Sequence, residues 1–195
     1  SYLLLDPGYR CLHLAVELTR NKARSANLAE LSIFLERFCA YNAEPLPDIN
    51  FPMSEHKTWL FYRHYPFHTG GQQKVADYFS HLLSQPQFRP AIHFSTESVL
   101  PPGNPWEILG SPASVDYVPA AYDYIFLAGM DWQQYLPHRA LRKPVINLIQ
   151  HVRHADPAQP MYPFLSEPAI RICVSDEVAQ AILATGRVNG PVHVI

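Results

Sequence analysis

The sequence is poor in charge. Only 16% of its 195 residues are Asp, Glu, Lys or Arg, and the formal net charge is -2. Nucleic acid and anionic membranes usually attract a broad basic field, and none is present. Cysteine is scarce as well. Cys11, Cys39 and Cys173 are odd in number, widely separated and share no metal-ligand spacing, which argues against a disulfide framework and a zinc site and fits a reducing cytoplasm. No stretch reaches the roughly 20 apolar residues of a transmembrane helix. Asp6, Pro7, Gly8 and Arg10 interrupt the apolar run at the start, so no signal peptide is read there and any membrane contact is peripheral. What the chain does have is 48% hydrophobic residues, 12% aromatic residues and 19 prolines. That composition buries one core with a small appendage and shapes the rest into proline-rich ordered loop.

The appendage is helical in pattern. One helix is expected over about Arg10 to Thr19, and a second where Asn27 caps and Leu28, Leu31, Phe34, Leu35 and Phe38 repeat at helical spacing. Glu44 to Ser54, dense in proline, reads as a linker, so residues 1–56 form an extension and residues 57–195 the domain. Within the domain, strands are expected at Lys57 to Tyr62, Ala91 to Ser95, Tyr124 to Ala128, Val145 to Ile149, Ile170 to Val174 and Val192 to Ile195. Helices are expected from Gln72 to Leu83 and from Asp176 to Ala184. Short strands read as apolar throughout, separated by helices and long loops, imply an α/β fold: a Rossmann-like parallel sheet with helices on both faces.

In such a sheet, ligands gather beyond the carboxyl ends of the strands. After the first strand, a turn ends in Gly70-Gly71-Gln72 at a helix start. There a missing Cβ lets a ligand approach the backbone, although an ordinary tight turn uses glycine equally well. After the fourth strand come Gln150, His151, Arg153, His154 and Asp156, whose amide, imidazole and guanidinium groups suit a sugar or phosphate; a solvated loop is the alternative. His151, His154 and Asp156 also form a conceivable metal set, without the second ligand cluster that usually accompanies one. Asp131 and Trp132 follow the third strand, and Ser95, Thr96 and Glu97 the second, as weaker cleft candidates. Ser175, with Asp176 and Glu177 behind it, reads as a helix cap. It lacks the Gly-x-Ser-x-Gly setting of a hydrolase nucleophile, and Cys173 falls in a buried strand.

Three segments in this order resemble the N-terminal domain of the large retaining group of GT-B glycosyltransferases. They are Leu60 to Ala76, with its Gly-Gly turn; Lys143-Pro-Val-Ile-Asn-Leu-Ile-Gln150; and Ile172-Cys-Val-Ser175 through Gly186 to Pro191-Val-His-Val-Ile195. The resemblance covers about two thirds of the chain. It implies a hexosyltransferase type of activity: sugar transfer from a nucleotide-sugar to an acceptor hydroxyl, with retention, without metal and with the donor as co-substrate in place of a cofactor. Gln150, His151 and His154 would be the catalytic-side residues, and Gly70, Gly71, Gln72, Arg153 and Asp131 would bind substrate. Many members carry histidine where this chain has Gln150, and some rhamnosyltransferase-like members carry glutamine, so the histidine role does not transfer directly.

The resemblance also implies partners. In the family, the last strand leads through a Pro-Asn-Gly segment into a C-terminal donor domain, and the present sequence reaches only Ile195. The donor half is therefore expected elsewhere, and the 195 residues alone are expected to be inactive. A nucleotide-sugar and a carbohydrate or glycan acceptor are the expected ligands, with no nucleic acid, in the cytoplasm. A non-catalytic carbohydrate- or nucleotide-binding module and a GT-B-shaped sugar-nucleotide epimerase remain alternatives, because fold does not fix function.

Overall fold

The computed structural model describes residues 56–195 apart from 68, 111 and 112. The two N-terminal helical patterns and the proline-rich linker lie outside the described residues. His56–Val194 is one compact unit. Its strands are β1 (Lys57–Arg63), β2 (Phe88–Phe94), β3 (Tyr124–Ala128), β4 (Val145–Ile149), β5 (Ile170–Cys173) and β6 (Val192–Val194). They form a single sheet, parallel at every pairing, in the order β2-β1-β3-β4-β5-β6. The helices are α1 (Gly70–Ser84), the short α2 (Trp132–Tyr135) and α3 (Asp176–Ala184), with 3-10 turns between them. This is the Rossmann-like α/β fold expected from the sequence. Among the described residues, no helix is long and apolar enough to cross a membrane.

Register decides which side chains share a face. Leu60 pairs with Ile125, Ile125 with Val145, and Ile149 with Cys173, so in parallel strands these residues look the same way. On that face, Trp132 and Tyr135 of α2 pack over Leu60, Ile125, Leu127 and Val145. Val178, Ala179 and Ile182 of α3 pack over Ile149 and Cys173. The opposite face carries Phe61 stacked on Phe126, with ring centroids 4.4 Å apart, and α1 covers it with Phe79, edge-on to Phe61 at 5.2 Å. Aromatic pairs of this geometry each add about 0.5–1.5 kcal/mol beyond the area they bury. Helices thus lie on both faces, as a doubly wound sheet requires.

Element ends follow local chemistry. α1 begins at Gly70, two residues before the helical periodicity suggests, because the Thr69 hydroxyl accepts the Gln72 amide at 3.2 Å and the glycine pair falls in the first turn. α3 spans the predicted residues, with Ser175 Oγ accepting the Val178 amide at 3.3 Å. β2 starts at Phe88, three residues before the predicted strand, and includes Pro90 opposite Trp59. A residue without an N–H is tolerated there because β2 is the sheet edge.

The expectation that every strand is apolar throughout needs correcting, most plainly at the buried polar residues Arg63 of β1, Asn147 of β4 and Arg171 of β5. Asn147 of β4 is buried and donates from Nδ2 to the Leu127 carbonyl at 3.1 Å. Arg171 of β5 is 0% exposed. Its Nη1 donates to the Ala169 and Asn189 carbonyls and its Nη2 to those of Phe164, Leu165 and Glu167, between 2.7 and 3.1 Å. One guanidinium thereby gathers the chain before β5 and the chain before β6 onto a single point, and burial pushes its pKa down to about 10.

Candidate functional site

The chain runs outward from β1 to β2, then returns and lays β3 on the other side of β1 before continuing outward to β6. The reversal between β1 and β3 makes a topological switch point, and the crevice outside the carboxyl ends of the strands at such a point is where open α/β sheets bind ligands. Arg63 closes β1 there, Asp131 follows β3, Gln72 and Gly71 open α1, and Gln150 follows β4.

Arg63 is the hub. Its Nη1 donates to Asp131 Oδ2 at 2.5 Å, and its Nε and Nη2 donate to Gln72 Oε1 at 3.0 and 2.7 Å. Gln72 returns Nε2 to the His64 carbonyl at 3.0 Å, and Asp131 Oδ2 also accepts the Ala128 amide at 2.9 Å. All three side chains are buried. Burial pushes the Asp131 carboxyl up to about 6, while the Arg63 guanidinium and the Ala128 N–H pull it the other way. The network ties the ends of β1 and β3 to the first turn of α1, and it fixes the backbone on both sides of the crevice.

Gln150 supplies the next tie. Its Nε2 donates to the Gly71 carbonyl at 3.0 Å, and a Cβ built on Gly71 would stand 2.7 Å from Gln150 Oε1. Gly70 differs from its neighbour, since a Cβ there would meet nothing within 4 Å. A Cβ on Gly71 would make the Gln150 amide shift, while Gly70 leaves open space over the first turn of α1.

The remaining predicted residues divide by burial. His151 is exposed; its Nδ1 accepts the Arg153 amide at 3.0 Å and caps the 3-10 turn Val152–Ala155, with Arg153 also exposed. His154 turns inward, 7% exposed, and burial followed by the charges of His151, Arg171 and Arg153 pushes its pKa down to about 4. It is a neutral packed side chain beneath the loop. The structure thus brings Gly71, Gln72, Asp131 and Gln150 to one crevice, leaves His151 and Arg153 on its outer loop, and withdraws His154. Among the described residues, no group of three His, Cys, Asp or Glu side chains is placed to hold a metal ion, and His151, His154 and Asp156 form none. Cys173 is buried, and burial pushes its thiol up to about 12.

Sequence reasoning missed Arg63 and His64. Arg63 reads as the polar residue that ends a strand, and its partner Asp131 is 68 positions away. His64 follows it; its Nδ1 lies 2.9 Å from Ser95 Oγ, beside the aromatic stack of Tyr62 on His93 at 5.6 Å. A cavity of about 280 Å³ lined by Trp132, Tyr135, Arg139, Arg142 and Lys143 opens at the other end of the sheet, where Val145 begins β4.

No protein-family model matches the chain, and no curated protein matches it.

Proposed function

We propose that this chain is the acceptor-side half of a retaining, metal-independent GT-B glycosyltransferase, working with a donor domain that binds the nucleotide part of a nucleotide-sugar. The observation that carries the reading is the contact between Gly71 and Gln150. It joins the glycine turn after β1 to the end of the Lys-Pro-Val strand, the two segments whose order prompted the resemblance, at the edge where such a sheet binds ligands.

In this reading, each group has a limited task. The open Cα of Gly70 leaves room for the donor diphosphate or the sugar against the start of α1. Gln150, held by the Gly71 carbonyl through Nε2, keeps acceptor capacity on Oε1 to orient a sugar hydroxyl. Exposed His151 and Arg153 supply donors to the charge that develops on the leaving diphosphate. Buried Asp131 and Gln72 act through Arg63 on the backbone, and His154 supports the loop from below, so these three position the site without touching substrate. The reaction breaks the bond from the anomeric carbon to the diphosphate oxygen and forms one to the acceptor oxygen, while the acceptor hydroxyl's proton passes to the leaving diphosphate.

The test is expression of the full natural gene product with a panel of nucleotide-sugars and candidate glycan acceptors, reading nucleoside diphosphate release. Acceptor-dependent release is expected with one donor. Conversion of a nucleotide-sugar to its epimer without any acceptor would favour the epimerase, and binding without turnover would favour the module.

A further inference from the structure

His64 lies at the carboxyl end of β1, beside the crevice, and every hydrogen bond behind its ring can be assigned a direction. Ser98 Oγ accepts the Tyr65 amide at 2.9 Å and donates its proton to the Arg63 carbonyl at 3.3 Å. Ser95 Oγ lies 3.0 Å from Ser98 Oγ, whose proton is already used, so the Ser95 hydroxyl donates to Ser98. With that proton spent, Ser95 Oγ has only lone pairs for its other neighbour, His64 Nδ1 at 2.9 Å, which therefore donates to it. The reverse order, in which Ser98 donates to Ser95 and Ser95 to His64, leaves the contact between Ser98 and the Arg63 carbonyl without a proton. Only the first order uses the whole set.

In the neutral imidazole this assignment puts the hydrogen on Nδ1 and leaves Nε2 as a lone pair. The side chain is exposed, and among the described residues Nε2 has no partner. Its backbone carbonyl is clamped by Gln72 Nε2 at 3.0 Å, so both ends of the residue are held before any ligand arrives. We infer that His64 is an acceptor-side binding residue whose Nε2 takes a hydrogen bond from the hydroxyl that is to be glycosylated. The inference rests on the glycosyltransferase reading for the identity of that hydroxyl. The tautomer stands on the serine pair and the Ser98 contact with the Arg63 carbonyl. A fixed acceptor nitrogen selects a neutral hydroxyl donor over an anion, so the ligand class at this point is a polyol or sugar.

The experiment is two-bond proton–nitrogen NMR on the uniformly ¹⁵N-labelled chain. Expected is the Nδ1–H tautomer for His64, with the bias reduced severalfold in Ser95→Ala and a shift confined to Nε2 when methyl hexosides and methyl deoxyhexosides are titrated in. An Nε2–H tautomer overturns the inference while leaving the glycosyltransferase reading standing, and so does an Nε2 signal that no glycoside moves. In the full gene product, His64→Leu is expected to raise the acceptor KM at least tenfold, with His64→Gln, which keeps an acceptor oxygen, recovering part of the loss. Unchanged acceptor KM in His64→Leu also overturns it, whereas no turnover in the unsubstituted protein overturns the reading on which the acceptor role depends.

Discussion

Gln150 Nε2 donates to the Gly71 carbonyl at 3.0 Å, and the Oε1 of the same side chain occupies the space a Cβ on Gly71 would approach to 2.7 Å. The two residues are therefore coupled through one amide group. Gly71→Ala should push the Gln150 amide away and lose the hydrogen bond. Gln150→Ala should lose the bond but open the space. A double-mutant cycle read by denaturant unfolding should give a coupling of roughly 0.5–3 kcal/mol. Additive effects would mean the amide yields without cost.

Arg63 and Asp131 present a buried pair whose loss is asymmetric. Asp131→Ala leaves a guanidinium that is 7% exposed with Gln72 as its remaining side-chain partner, and removing one member of such a pair costs about 3–5 kcal/mol. Replacing Arg63 and Asp131 together by apolar residues should cost much less than the sum of the single changes. Urea melts of the four proteins measure this.

Arg171 makes a different prediction, because its partners are backbone carbonyls. Arg171→Met keeps much of the side-chain length and removes the donors to Ala169, Asn189, Phe164, Leu165 and Glu167. The carbonyls of Phe164, Leu165 and Asn189 each keep a backbone N–H, so the loss falls on Ala169 and Glu167, and at about 1–3 kcal/mol for a buried acceptor left bare the variant should be clearly destabilised. Arg171→Lys, with fewer donors and no fork, should fall between the two. Amide exchange should speed up first in residues 164–169 and 189–191.

Stability should depend on pH in a narrow acid window. Burial lowers His154 and His193 from 6.5 to about 4 and raises Asp131 from 3.8 to about 6. Between pH 4 and 6 the unfolded chain binds protons at these two histidines, and in part at His81, which burial also lowers, that the native protein does not, and the native protein binds one at Asp131 that the unfolded chain does not. The balance is at least about one proton in favour of the unfolded state. Stability therefore rises with pH there, by roughly tenfold in the folding equilibrium per pH unit. His154→Gln removes one histidine from the balance and should flatten the dependence. A slope unchanged by that substitution would contradict the burial of His154.

Much of this fold was readable because its signals are local. β3, β4 and α3 follow from apolar runs and from Ser175 with the acids behind it, features contained within a few residues. The site was readable only in part. Gly71 and Gln150 stood out singly, as a turn and as the polar end of a strand, but their contact spans 79 positions and depends on the strand order. Arg63 and Arg171 were harder still. A charged residue in or beside a strand usually points to water, and only the sheet register reveals that these two are enclosed. His154 illustrates the opposite error of expectation, since its loop looks uniformly polar while the 3-10 turn capped by His151 directs one ring into the core.

The most direct measurement of the central claim is turnover of the full natural gene product bearing Gly71→Val, compared with Arg139→Ala at the other end of the sheet. Folding of both is checked by thermal melting. Valine at position 71 drives its Cβ and methyls against Gln150 and into the crevice, so turnover should fall at least a hundredfold. Arg139 is exposed and only loosely paired with Glu167 at 3.7 Å, so Arg139→Ala should leave turnover within about twofold, as surface substitutions generally leave structure. Full turnover in a folded Gly71→Val protein would contradict the placement of the site between β1, β3 and β4.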